Sequence, residues 1–196
     1  MHQQRYHLYT ILLVLTIIGL GCSSSDEFTG FSYDPEGATE TQDKEIHDQH
    51  KRVIGVDDQS IWISNEFAGA RMNDFYQVSD TLYRVVITPE NHPINESPWY
   101  AFKVWSDTSR SIDLQLTYEH ADHRYFPDIS SNGNTWHPID STNYHPDTLD
   151  GTATLSLDLH QDPLWVSAQE LVTYNDFRSW TDSLAQQSWV SLDTAG

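Results

Sequence analysis

The sequence predicts a mainly β protein: an antiparallel β-sandwich followed by one C-terminal helix, and preceded by a signal peptide and a disordered spacer. Three observations predict it. Apolar residues recur with period two in several short segments. Asn-Gly and Asp-Gly turn signals separate those segments. After Thr173 the apolar spacing becomes helical.

The first element is a leader. Arg5 precedes an apolar run from Ile11 to Leu20, and Gly21 and Cys22 close it. Such a run is short of the about 20 apolar residues that span a bilayer, and its flanks are those of a signal peptide over residues 1–21. Cys22 is the only cysteine of the chain, so no intramolecular disulfide forms. The context Gly19-Leu20-Gly21-Cys22 resembles a bacterial lipoprotein processing site, although Gly19 stands where such sites usually carry Leu. That resemblance implies that the Cys22 thiol is acylated. The other reading is an ordinary cleaved signal with an incidental cysteine. Ser23-Ser24-Ser25-Asp26-Glu27 resembles outer-membrane signals of Gram-negative lipoproteins and, in its acidic residues, the surface-export signal of Bacteroidota lipoproteins. The expected location is therefore exported and lipid-anchored, at the outer membrane or the cell surface, and the membrane partner is engaged through the lipid.

Residues 22–60 are rich in Ser, Asp, Glu, Gln, Gly and Thr. They bury too little apolar surface to offset ordering entropy and are expected to be a flexible acidic spacer, with at most a helical turn around Thr41 to Lys51. The whole chain carries a formal charge of −19, and without the leader 29 acidic residues face 9 basic ones, a net −20. No Lys/Arg cluster occurs. Nucleic-acid binding and attraction of a basic patch to anionic lipid are both disfavoured.

The folded part is expected from Ile61. Thr81 to Thr88 reads as a strand, and a Pro- and Asn-rich loop follows from Pro89 to Pro98. In Trp99 to Trp105 both faces carry large groups: Tyr100, Phe102 and Val104 on one, Trp99, Ala101 and Trp105 on the other. This predicts a central strand covered on both sides, or one with a side facing a neighbouring domain. Ile112, Leu114, Leu116 and Tyr118 alternate with polar residues, as do Ala153, Leu155, Leu157 and Leu159. Each is a half-buried strand. Asp107-Thr108-Ser109, Ser131-Asn132-Gly133-Asn134 and Asp150-Gly151 are the turns. Residues 61–172, roughly 110 positions, suffice for one sandwich core.

Thr173-Tyr174-Asn175-Asp176 offers a capping box with Asp in place of Glu, and Phe177, Trp180 and Leu184 follow on one helical stripe. That stripe is too large to leave uncovered, so the helix in 173–196 must dock on something.

Ten histidines raise a metal hypothesis. His47 and His50 form one H-x-x-H pair and His120 and His123 another, but no third ligand accompanies either, and zinc needs three or four. Solvated loop histidines are the competing reading. His92-Pro93-Ile94-Asn95-Glu96 places its Glu one position too far for a His-x-x-Glu pair and falls in an inter-strand loop. No H-E-x-x-H, Gly-x-Ser-x-Gly or phosphate-binding glycine loop occurs. No catalytic residue, metal ligand or cofactor is assigned to this chain. The Trp and Tyr residues suit core and interface packing or, as the other reading, a sugar platform.

The segment Phe67 to Trp105, with its turn Ala68-Gly69-Ala70-Arg71, its strand, its Pro-rich loop and its aromatic strand, resembles the β-sandwich domain that precedes the catalytic domain in the cytosolic-carboxypeptidase-like branch of the zinc carboxypeptidases. Ser131 to Trp136 is similar to that domain's turn-then-Trp pattern, with Asn132 where Asp is usual. Leu164 to Glu170 resembles the strand leaving the sandwich, and Tyr174 to Leu184 the first helix of the catalytic domain. Gly196 could open the family's next Gly-x-Ser-x-x-Gly-Arg segment.

The resemblance implies that 61–172 is an accessory domain and 173–196 the start of a truncated catalytic domain. Zinc is expected only for the missing catalytic domain, whose peptide substrate and packing partners would be those of the parent enzyme. This chain alone is expected to be inactive. The alternative is a complete surface lipoprotein whose sandwich binds glycan or a protein partner. The two differ at Phe177, Trp180 and Trp189, which a complete module would bury in its own sandwich.

Overall fold

The computed structural model describes residues 49–57, 60–92, 94–191 and 193. The leader, the Cys22 lipidation position and His47 lie outside the described residues. So does most of the expected spacer.

Eleven strands among the described residues form two sheets. In chain order they are β1 (Val53–Val56), β2 (Ile61–Ser64), β3 (Asp74–Gln77), β4 (Leu82–Ile87), β5 (Ala101–Ser106), β6 (Arg110–Tyr118), β7 (Asp128–Ser130), β8 (His137–Pro138), β9 (Tyr144–Asp147), β10 (Thr152–Leu159) and β11 (Leu164–Ser167). One sheet has the order β1-β2-β5-β11-β7-β8, the other β3-β4-β6-β10-β9. A helix α1 (Tyr174–Ala185) follows. The fold is the mainly β sandwich with a C-terminal helix that the alternation predicted.

The facing sides of the sheets make one core. Ile61, Ile63, Phe102, Val104 and Val166 come from the first sheet, and Tyr83, Val85, Ile87, Leu114, Leu116, Leu155 and Leu159 from the second. Burying these branched and aromatic side chains is the main term that favours this packing. The polar residues between them point outward, as the period of two requires.

Two features depart from expectation. Val53–Val56 pairs antiparallel with Ile61–Ser64, so the first sheet begins inside the segment 22–60 that was expected to be spacer. Ile54 and Val56 pack against the core, which is what recruits this short run. In addition, β4 and β6 pair in parallel, while the other strand pairs are antiparallel. The intervening β5 lies in the opposite sheet, and this crossing supplies the long connection that a parallel pair needs.

β5 is a central strand, between β2 and β11, as its two-sided pattern predicted. The strand proper begins at Ala101. Trp99 lies just before it and donates its indole N–H to the Gly69 carbonyl at 3.1 Å.

Candidate functional site

The outer face of the six-stranded sheet is aromatic. Trp62 and Trp105 stand opposite each other in register and stack with centroids 6.4 Å apart. Lys103 opposes Trp165 and sets its ammonium 5.0 Å from that ring and 5.5 Å from the Phe67 ring. Phe67 lies tilted on Trp165 at 4.6 Å. These contacts are cation–π and aromatic packing of the outer layer. Trp165 is therefore covered by the protein's own groups, as the packing reading of the aromatics has it.

The turn after β7 is built around that indole. Ser130 Oγ accepts from the amides of Asn132 and Gly133, and Asn132 Oδ1 accepts from those of Asn134 and Thr135. Asn132 thus holds two backbone amides of the turn.

Beyond β11 the Ala168 amide donates to the Tyr100 carbonyl at 2.9 Å, and the Leu171 side chain lies over Gly69. The chain then enters α1. Thr173 Oγ1 accepts from the Asp176 amide, and the Asp176 carboxylate accepts from the Thr173 amide, so the capping box is complete with Asp at its third position. The Thr173 hydrogen bonds hold the Asp176 carboxyl below the usual carboxylate range.

No residue of α1 is buried. Phe177 is 54% exposed, Trp180 57% and, past the helix, Trp189 77%. Phe177 and Trp180 touch only at the 6.0 Å of a tilted ring pair. A stripe of this size normally faces a partner.

The pair His120 and His123 does not assemble a metal centre. Among the described residues no group of three or more His, Cys, Asp or Glu side chains could hold an ion. His120 sits at φ +62° and stacks on His92 at 3.7 Å, so the two ring faces, not their nitrogens, converge. Glu96 approaches His92 Nδ1 at 3.0 Å, which uses the carboxylate locally. Both nitrogens of His123 are engaged: Nδ1 lies 2.7 Å from Tyr118 Oη and Nε2 2.9 Å from Tyr144 Oη. Burial lowers the His123 pKa and raises those of Tyr118 and Tyr144. The described residues thus do not fit zinc.

One arrangement was not visible in the sequence. Lys51, Arg71, Glu90, Gln49 and Trp99 line a cleft of about 310 Å³. Lys51 lies in the expected spacer, and its partner Arg71 was singled out only as part of a turn. The one signal available was that two of the chain's few cations flank the first strands.

No family model matches the chain, and no curated protein sequence matches it. Among solved structures it is similar to a metallo-carboxypeptidase from Burkholderia cenocepacia, with 12% identity and a TM-score of 0.54, covering 67% of this chain and 35% of that one. It is also similar to a carboxypeptidase A candidate from Shewanella denitrificans, with 15% identity and a TM-score of 0.53, covering 66% of this chain and 34% of that one. A carboxypeptidase candidate from Burkholderia mallei gives 10% identity and a TM-score of 0.51, covering 66% and 33%. The likeness falls on the N-terminal part of such chains. This chain spans about a third of their length, and what it shares with them is the fold of their N-terminal β-sandwich.

Proposed function

We propose that this chain is the N-terminal accessory part of an exported, lipid-anchored zinc carboxypeptidase-like protein, and that the catalytic domain packs on α1. The observation that carries the reading is the exposed stripe of Phe177 and Trp180 on a helix that has a complete N-terminal capping box yet packs no residue of its own into a core. A capped helix of twelve residues is marginal by itself, and most helical stability comes from packing an apolar face. A catalytic domain covering that stripe supplies the missing packing. The shared fold with the N-terminal third of metallo-carboxypeptidases supports the same assignment.

In this reading the sandwich is a scaffold, and hydrolysis of peptides belongs to the catalytic domain and its zinc. The anchor is an acylated Cys22 at the outer membrane. The exposed helix weighs against the alternative of a self-contained glycan- or partner-binding lipoprotein, because that module would cover Phe177, Trp180 and Trp189 itself.

The test has two parts. The coding frame past residue 196 is read for a His-x-x-Glu pair and a later His, which the proposal expects. The present chain is assayed for release of a C-terminal residue from peptides with and without zinc. Zinc-dependent release by this chain alone, or a continuing frame lacking those ligands, overturns the proposal.

A further inference from the structure

Lys51 and Arg71 stand at one cleft in a chain with ten basic residues and 29 acidic ones. Each has donors to spare. Lys51 Nζ donates to the carbonyls of Ala70 at 2.7 Å and Phe67 at 3.3 Å, which leaves one of its three protons free. The Arg71 side chain is only 12% exposed; its Nη2 meets Glu90 at 3.2 Å, and its Nη1 reaches the Ser97 carbonyl at 3.5 Å. Its Nε–H is buried with no partner. The Gln49 side-chain amide, on the same cleft, is also buried, and neither its nitrogen nor its oxygen has a partner.

Orphaned donors of this kind are costly, and a guanidinium N–H is among the more expensive to leave unmet. Arg71, Gln49 and Lys51 line an open volume of about 310 Å³ that has Trp99 as one wall. The formal charge at the cleft is two positive and one negative, so a monoanion balances it. Planar, bidentate acceptors suit a guanidinium edge best.

We propose that this cleft is a carboxylate-binding site, in which the anion accepts hydrogen bonds from the Arg71 guanidinium and Lys51 Nζ while its aliphatic stem lies against Trp99. The carboxylate is that of a peptide, from an acidic side chain or from a chain terminus. Burial lowers the Lys51 pKa, Arg71 lowers it further and Glu90 opposes both, so a bound anion also relieves the Lys51–Arg71 repulsion. The site is independent of α1 and stands whether or not a catalytic domain packs there.

The test is a titration of the ¹⁵N-labelled full chain with acetate, inorganic phosphate, a neutral peptide with a free C-terminus, its C-terminal amide, and an amidated peptide with an internal Glu. The readouts are the amides of Gly69, Ala70 and Arg71 and the Trp99 indole N–H. The expected result is saturable shifts confined to these groups with acetate, weakened about tenfold in K51Q, the loss of one charge-assisted hydrogen bond. R71Q is the second variant, and thermal melts check that both stay folded. Shifts with the free terminus alone assign the source to a chain end; shifts with the amidated Glu peptide assign it to a side chain. Absence of saturable shifts, equal affinity in K51Q and wild type, or tighter binding of phosphate than of acetate overturns the proposal.

Discussion

Gly133 lies directly beneath the indole of Trp165: a Cβ built on it would stand 2.9 Å from that ring. Its φ of +74° is in the left-handed region, which a residue with a side chain adopts at a cost. Both constraints come from the same turn, because the Ser130 and Asn132 acceptors hold the backbone in place while the sheet holds the indole. Gly133→Ala is expected to lose about 1–3 kcal/mol from left-handed strain and overpacking together. Urea unfolding followed by tryptophan fluorescence reads it. A midpoint within error of wild type would mean that the turn yields without cost.

The capping box of α1 provides a test of how far the helix is coupled to the sandwich. Thr173→Ala removes the side chain that accepts from the Asp176 amide and is expected to cost the helix about 1 kcal/mol. With no residue of α1 buried, that loss should stay local. Hydrogen exchange at the α1 amides should quicken severalfold while the thermal midpoint of the sandwich holds. A fall in that midpoint equal to the loss in the helix would show cooperative docking.

The helical stripe should be nearly silent in stability for the same reason. Trp180→Ser, alone or with Phe177→Ser, is expected to change the unfolding free energy of this chain by less than about 0.5 kcal/mol, as for other exposed sites. Leu114→Ala, with its side chain sealed between the sheets, is expected to cost about 2–5 kcal/mol. Denaturant titrations of the variants compare them. The same Ser substitutions should lower any self-association seen by sedimentation, since they remove exposed aromatic surface.

What was legible in the sequence was set by local chemistry. Ile112 to Tyr118 and Ala153 to Leu159 announce their strands because every second side chain must face the core. Thr173 and Asp176 announce α1 because a cap is a contact between residues three apart. Val53–Val56 was illegible: four residues inside a polar stretch carry no measurable period, and only pairing with Ile61–Ser64 makes them a strand. The parallel β4–β6 ladder was illegible because it depends on β5 crossing to the other sheet. The cleft was illegible because Lys51 and Arg71 come to one place only after β1 and β2 have paired. His123 could be read as a ligand in the H-x-x-H spacing, but its partners Tyr118 and Tyr144 arrive from β6 and β9.

The last expectation concerns pH and rests on that histidine. Tyr144 Oη donates weakly to the Tyr125 carbonyl at 3.4 Å, which leaves its oxygen to accept from His123 Nε2–H. Tyr118 then donates to Nδ1. His123 is thus held neutral between two hydroxyls, with the Tyr118 and Tyr144 rings 5.7 Å away and Tyr100 at 6.4 Å. Burial lowers its pKa in the folded state below the ordinary histidine value of 6.5. The unfolded chain therefore binds the extra proton first as pH falls through about 6.5, and stability declines until the folded pKa is reached, where the loss levels off. Above about pH 6.5 the group has no effect on the slope. His123→Gln removes the titration while retaining a donor and an acceptor, so the variant, though less stable at neutral pH, should lose less on going from pH 7 to pH 5 than wild type does. Urea midpoints measured across that interval decide it. Equal losses in the two proteins would mean that His123 takes up its proton in the folded state as readily as in the unfolded one.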